Sequence, residues 1–188
     1  DTSASMTRDR GTAPIDVAIS LGLYCAERAN GPFANHYISF SSQPQLIETD
    51  GVDFCDKVDR IYRTNLCENT NIEATFDLLL DTAVRCNLSQ DELPQNIIII
   101  SDMEFDRARG YWHNSGTQIQ TLMETIVQKW NRRSYEMPHL IFWNVDARQN
   151  NIPMKDSDGI TFVSGFSPVI FEMIMSGKTG YDLMMDKL

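Results

Sequence analysis

Hydrophobic and polar positions along the chain switch repeatedly between helical and strand spacing. From Pro14 to Ala29, PIDVAISLGLYCAERA is apolar almost all round until Glu27 and Arg28. Pro14 suits a first helical turn, where its missing N–H is harmless. A helix with so little polar face is buried on more than one side, so 14–29 is expected to be the most buried helix. NGPFAN breaks the chain, HYISFSS predicts a strand at 36–40, and PQLIETDG predicts a short edge strand at 45–49. Residues 53–63 form a short amphipathic pattern.

The second half repeats the theme. Apolar residues at 72, 76, 79, 80, 83 and 84 follow helical spacing, with Asp77, Asp81 and Arg85 opposite. Asn69, Thr70 or Asn71 would cap that helix. QNIIIISD predicts a strand at 96–101, too apolar to be exposed on either face, as in a parallel sheet covered on both sides. Residues 116–132 regain the helical period. HLIFWNV predicts a strand at 139–145, followed by a polar loop at 146–158 and a strand at 160–164. Ser167 caps a helix through Met175, and a last short helix covers 179–187. Strands alternating with helices indicate one α/β domain over 1–188. The expected architecture is a three-layer sandwich with a Rossmann-like, mostly parallel sheet and helices on both faces.

Composition adds exclusions. A formal net charge of −10 repels nucleic acid over most of the surface and favours cations or basic protein patches. No apolar run approaches the ~20 residues needed to span a bilayer, and no secretory signal stands at the start. The four cysteines (Cys25, Cys55, Cys67, Cys86) form no CxxC pair, so reduced thiols in a cytoplasmic protein are expected. Three scattered histidines (His36, His113, His139) offer no zinc-ligand spacing.

The candidate chemistry lies in oxygens. DTSAS at the start places Asp1, Ser3 and Ser5 at alternate positions, so an extended turn aims them to one side. Thr70 lies in the loop before the helix at 72, with Thr64, Thr75 and Asn71 as nearby alternatives. Asp102 follows the apolar strand 96–101, where open parallel sheets bind ligands. Such an all-oxygen set suits a hard cation, Mg²⁺ or Mn²⁺. Each residue alone has a plainer reading, as a turn residue or helix cap. Asp9, Glu104 and Asp106 fit a solvated acidic face, and Trp112 and His113 fit either a recognition loop or packing beneath it. Cys25 fits a buried thiol with no base beside it. In SGFS, Ser167 lacks the G-x-S-x-G frame of a nucleophile elbow.

D-x-S-x-S, a later loop threonine and an aspartate after a hydrophobic strand together resemble the metal-ion-dependent adhesion site of von Willebrand factor A (vWA) domains. The likeness covers nearly the whole chain. LIFWNVDARQNNIPMKDSDGITFVSGFSPVIFEMI further resembles the C-terminal vWA-like domain of a cytoplasmic family related in layout to the Ro/TROVE RNA-binding proteins. The resemblance implies Ser3, Ser5 and Thr70 as direct or near-direct ligands, Asp1 and Asp102 acting mostly through water, and a sixth position left for an acidic group from a protein partner. It also implies a first strand immediately before Asp1, which this stretch of sequence does not include.

Two function classes follow. One is a non-enzymatic, metal-dependent protein-binding module within a larger protein or ribonucleoprotein, any RNA being held by a domain outside this chain. The alternative is a metal-dependent hydrolase or phosphotransferase. That chemistry wants a positioned base and a phosphate-binding Lys or Arg, and the sequence has serines where a second carboxylate would stand and no glycine-rich phosphate loop.

Overall fold

The computed structural model describes residues 2, 4–7, 12–39, 43–64, 71–102, 116–146, 154–157, 160–165, 167–176 and 185. The chain is a mixed α/β protein. In order it forms α1 (Pro14–Arg28), β1 (His36–Ser39), β2 (Gln45–Glu48), α2 (Phe54–Thr64), α3 (Ile72–Cys86), β3 (Asn96–Ser101), α4 (Gly116–Arg132), β4 (His139–Asn144), β5 (Met154–Ser157), β6 (Ile160–Ser164) and α5 (Pro168–Ser176). A short 3₁₀ turn, Ala4–Thr7, precedes α1.

β3, β4 and β6 run parallel, and β5 adds an antiparallel edge to β6. The period of two along each strand sorts side chains between two cores. Ile97, Ile99, Leu140, Phe142 and Ile160 join the cluster built on α3 and α4, centred on Phe76, Ile126 and Trp130. Ile98, Ile100, Ile141, Trp143 and Val163 join the cluster that holds Ile15, Ile19 and Leu23 of α1, Ile61 of α2 and Ile174 of α5. Lys129 of α4 clasps Glu73 and Asp77 of α3 at 2.7 and 2.8 Å. On the other side Lys57 of α2 meets Glu27 of α1 at 2.6 Å.

Helix ends follow local chemistry. The Asn71 side chain accepts from the Ala74 N–H at 3.1 Å, so of the three candidate caps Asn71 takes the role. Asn87 ends α3 in the left-handed conformation, donating its N–H back to the last turn. Ser167 caps α5 as expected, its Oγ accepting from Ile170 N–H at 3.4 Å.

Four expectations are corrected. The strands at 36–39 and 45–48 form their own antiparallel hairpin instead of joining the parallel sheet. α1 is not the most buried helix, because Asp16, Ser20, Tyr24 and Glu27 make a solvent stripe at helical spacing, whereas α3 buries six residues along one face. β5 falls inside the segment expected to be a polar loop. Its sequence, MKDS, carries too little apolar signal, and a sheet margin tolerates such a strand. Finally, the extended turn expected over 1–5 does not reach through Ala4 and Ser5, which lie in 3₁₀ structure beside Met6, 0% exposed, while Asp1 and Ser3 lie outside the described residues. The helix expected over 179–187 falls almost wholly outside the described residues.

Candidate functional site

The carboxyl ends of the three parallel strands are stitched together by backbone and side-chain hydrogen bonds. Beyond β3 and β4, Val145 N–H donates to Ser101 O at 3.0 Å, and Gly165 N–H donates to Asn144 O at 2.8 Å. Trp143 Nε1–H donates to Gly165 O at 2.6 Å. The Asn144 side chain accepts from Asp146 N–H at 2.9 Å. These bonds tie Ser101 and Asn144 to the loops that follow β4 and β6, and Asp102 and Ser164 lie at the same end of the sheet.

Asp102 is the chemically distinctive member of that row. It is only 6% exposed, and Ser101 beside it is fully buried. Burying a carboxylate is costly unless hydrogen bonds or a cation compensate. The turn carrying Ser5 is tied to the same region: Met6, its neighbour, shares a buried cluster with Ile100 and Val145, which flank the ends of β3 and β4. α3 returns directly into β3, so its start at Asn71 lies toward the end at which β3 finishes.

Of the five oxygen donors expected from sequence, Ser5 and Asp102 are described, and Met6, next to Ser5, and Ile100, two residues before Asp102, belong to one buried cluster. Asp1, Ser3 and Thr70 lie outside the described residues, as do Asp9, Glu104, Asp106, Trp112 and His113. Of the alternatives to Thr70, Asn71 is committed to its cap, and Thr75 is buried within α3 with its hydroxyl donating to Asn71 O at 3.1 Å. Among the described residues, no group of three or more His, Cys, Asp and Glu side chains converges.

Both described histidines have hydrogen-bonding neighbours. His36 Nδ1 lies 2.6 Å from Ala34 O, and His139 Nε2 lies 2.8 Å from Thr161 Oγ1. Cys25, Cys55 and Cys86 are free thiols. Burial pushes the Cys25 thiol up, Arg28 opposing it weakly, which disfavours the reactive thiolate. Sequence reasoning passed over Asn144 and Asp146 at the end of β4. The available signal was the one that picked out Asp102, polar residues directly after an apolar strand.

A family model described as Domain of unknown function (DUF7788) matches residues 1–186. The chain belongs to that family. A curated relative of this DUF7788 chain, "Uncharacterized protein L728" of Acanthamoeba polyphaga mimivirus, is 27% identical over 167 residues. The match takes in 88% of this chain and 28% of the relative, so the DUF7788 region spans under a third of that protein's length. No solved structure matches. Among the described residues, no helix is long and apolar enough to cross a membrane.

Proposed function

We propose that this DUF7788 domain is a metal-dependent protein-binding module of vWA-like, three-layer architecture, acting in the cytoplasm as part of a larger protein or ribonucleoprotein. The observation that carries the reading is Asp102, a buried carboxylate at the carboxyl end of a parallel strand, with the Ser5 turn packed on the same core. Buried clusters built on opposite sides of the β3–β4–β6 sheet support the layered fold. The donor chemistry fits Mg²⁺ or Mn²⁺: Ser5 and Asp102, with Asp1, Ser3 and Thr70, supply only hard oxygens, and few charges leave room for water. A bound cation with an open position would attract a carboxylate from a protein partner. Asp102 would set the charge and orientation of the site through its own hydrogen bonds.

Calorimetry on the full-length protein tests this. Mg²⁺ or Mn²⁺ should bind, and Asp102→Ala and Ser5→Ala should each weaken binding at least ~10-fold, the order expected when support of a metal site is removed. An immobilised acidic peptide should be retained with Mg²⁺ and lost with chelator. Unchanged metal binding in both variants overturns the reading and leaves these residues a capping and packing role. Metal-dependent turnover of a generic phosphate ester would favour the hydrolase alternative instead.

A further inference from the structure

The turn between β2 and α2 binds its polar groups to one another and leaves its apolar side chains in solvent. Val52 is 94% exposed, the most exposed large apolar side chain among the described residues, and Phe54 close to it is 53% exposed. An apolar side chain left in water contributes none of the free energy of burial. Phe54 also continues a stripe, because Phe54, Val58 and Ile61 follow the i, i+4, i+7 spacing of one helix face. Ile61 is buried and Val58 packs against the core shared with α1, whereas Phe54 belongs to neither buried cluster. The apolar face of α2 therefore overruns the domain's own core by one turn.

The tip is braced. Asp56 accepts from Val52 N–H at 3.0 Å and from Arg60 Nε at 3.2 Å, and Arg60 Nη1 donates to Asp50 at 2.8 Å. Asp53 Oδ1 accepts from Asp56 N–H at 2.9 Å. Gly51 lies so close to α2 that an added Cβ would stand 2.7 Å from Lys57 Cγ and 3.0 Å from Lys57 N. Lys57 is itself paired with Glu27 of α1. These contacts set the positions of Val52 and Phe54 in advance, which lowers the ordering cost of binding. Around them Glu48, Asp50, Asp53 and Asp59 are exposed. The nearest cations, Lys57 and Arg60, are both paired with carboxylates, and Arg63 stands beyond them toward the far end of α2.

We propose that this tip is a protein-docking element, with Val52 and Phe54 entering an apolar pocket on a partner whose rim carries Lys or Arg. The exposed carboxylates select such a rim and repel an anionic surface. The tip shares no residue with the candidate cation site, and the inference does not rest on metal binding.

Peptide selection on the full-length protein tests it. A random peptide library displayed on phage is panned against the immobilised protein in chelator, which silences metal-dependent capture of acidic peptides. Enriched peptides should combine aliphatic or aromatic residues with Lys or Arg. Their affinity, measured by fluorescence anisotropy, should fall at least ~10-fold for the double variant Val52→Ser/Phe54→Ser. That variant should melt within about two degrees of the unaltered protein, because neither side chain is buried. The proposal fails if no enriched peptide is sensitive to the double variant, or if the sensitive peptides are acidic. It fails equally if the double variant melts many degrees lower, which would make both side chains part of the fold. Retention on phosphatidylcholine vesicles that is lost in the double variant overturns it in favour of a membrane surface.

Discussion

β3 and β4 have the same length, run parallel and pair residue for residue from Asn96↔His139 to Ser101↔Asn144. They differ in burial. β4 is buried from Leu140 to Asn144, with β3 on one side and β6 on the other. β3, with four consecutive isoleucines, has Asn96 exposed and Ile97 and Ile98 only half-buried. Its composition is that of an internal strand, and its described position is that of an edge. Long apolar edges are normally avoided because they invite pairing. The contrast shows that side-chain composition reports the environment a strand is built for, even where its described neighbours do not supply it.

The sharpest way to test the contrast is to truncate one residue on each strand. Phe142, 1% exposed and stacked on Phe162 with ring centroids 5.0 Å apart, should cost about 3–5 kcal/mol as Phe142→Ala. Ile98→Ala should cost only about 1–2 kcal/mol in the isolated 188-residue chain, because its side chain is already partly exposed. Denaturant unfolding measures both. Equal losses would erase the distinction, and a larger loss for Ile98→Ala in the full-length protein would sharpen it.

A smaller effect tests the well-packed α3–α4 side. Asn71→Ala removes the α3 cap and should cost about 1 kcal/mol, whereas Asn71→Asp should be nearly neutral. A loss well above that range would mean that Asn71 does more than cap its helix.

The smallest effect lies on the α1–α2 side and is read through pH. Burial, aided by the hydrogen bond it donates to the Asp16 carboxylate, pushes the Tyr62 phenol up to about 12. The folded chain then holds this proton between about pH 10, the ordinary tyrosine value, and about pH 12, where the unfolded chain has lost it. Its stabilising contribution is complete below pH 10 and disappears as pH rises through 12. Tyr62→Phe should therefore flatten the alkaline loss of stability while barely changing melting at pH 7. An identical alkaline profile in the variant would show that this contact contributes nothing.

Most of this architecture was legible because strands and helices leave different periods in the sequence. The isoleucine run, HLIFWNV and the helix at 116–132 carry their environment in their spacing. What escaped detection depended on partners distant in sequence. Nothing in MKDS shows that β6 offers it an edge, and nothing in HYIS shows that it pairs with QLIE and stands apart from the main sheet. Met6 sits among polar residues, and only the completed core shows that it is buried. At the candidate site, the position of Asp102 could be read from the strand before it. The burial of its neighbour Ser101 and the locking of Asn144 could not, because both arise from bonds between strands.

Connectivity also sets an order of assembly. β3, β4 and β6 follow one another with a single helix or hairpin between them, so their pairing closes modest loops. α1 reaches β3 only after the hairpin, α2 and α3 have been made. Contacts that close long loops form late unless something else holds their ends. The β3–β4–β6 unit is therefore expected to form the nucleus, with α1 the last element to dock. Substitutions in β4 should slow folding, those at Leu23 in α1 should mainly speed unfolding, and φ-values measured along both elements would distinguish this order from its reverse.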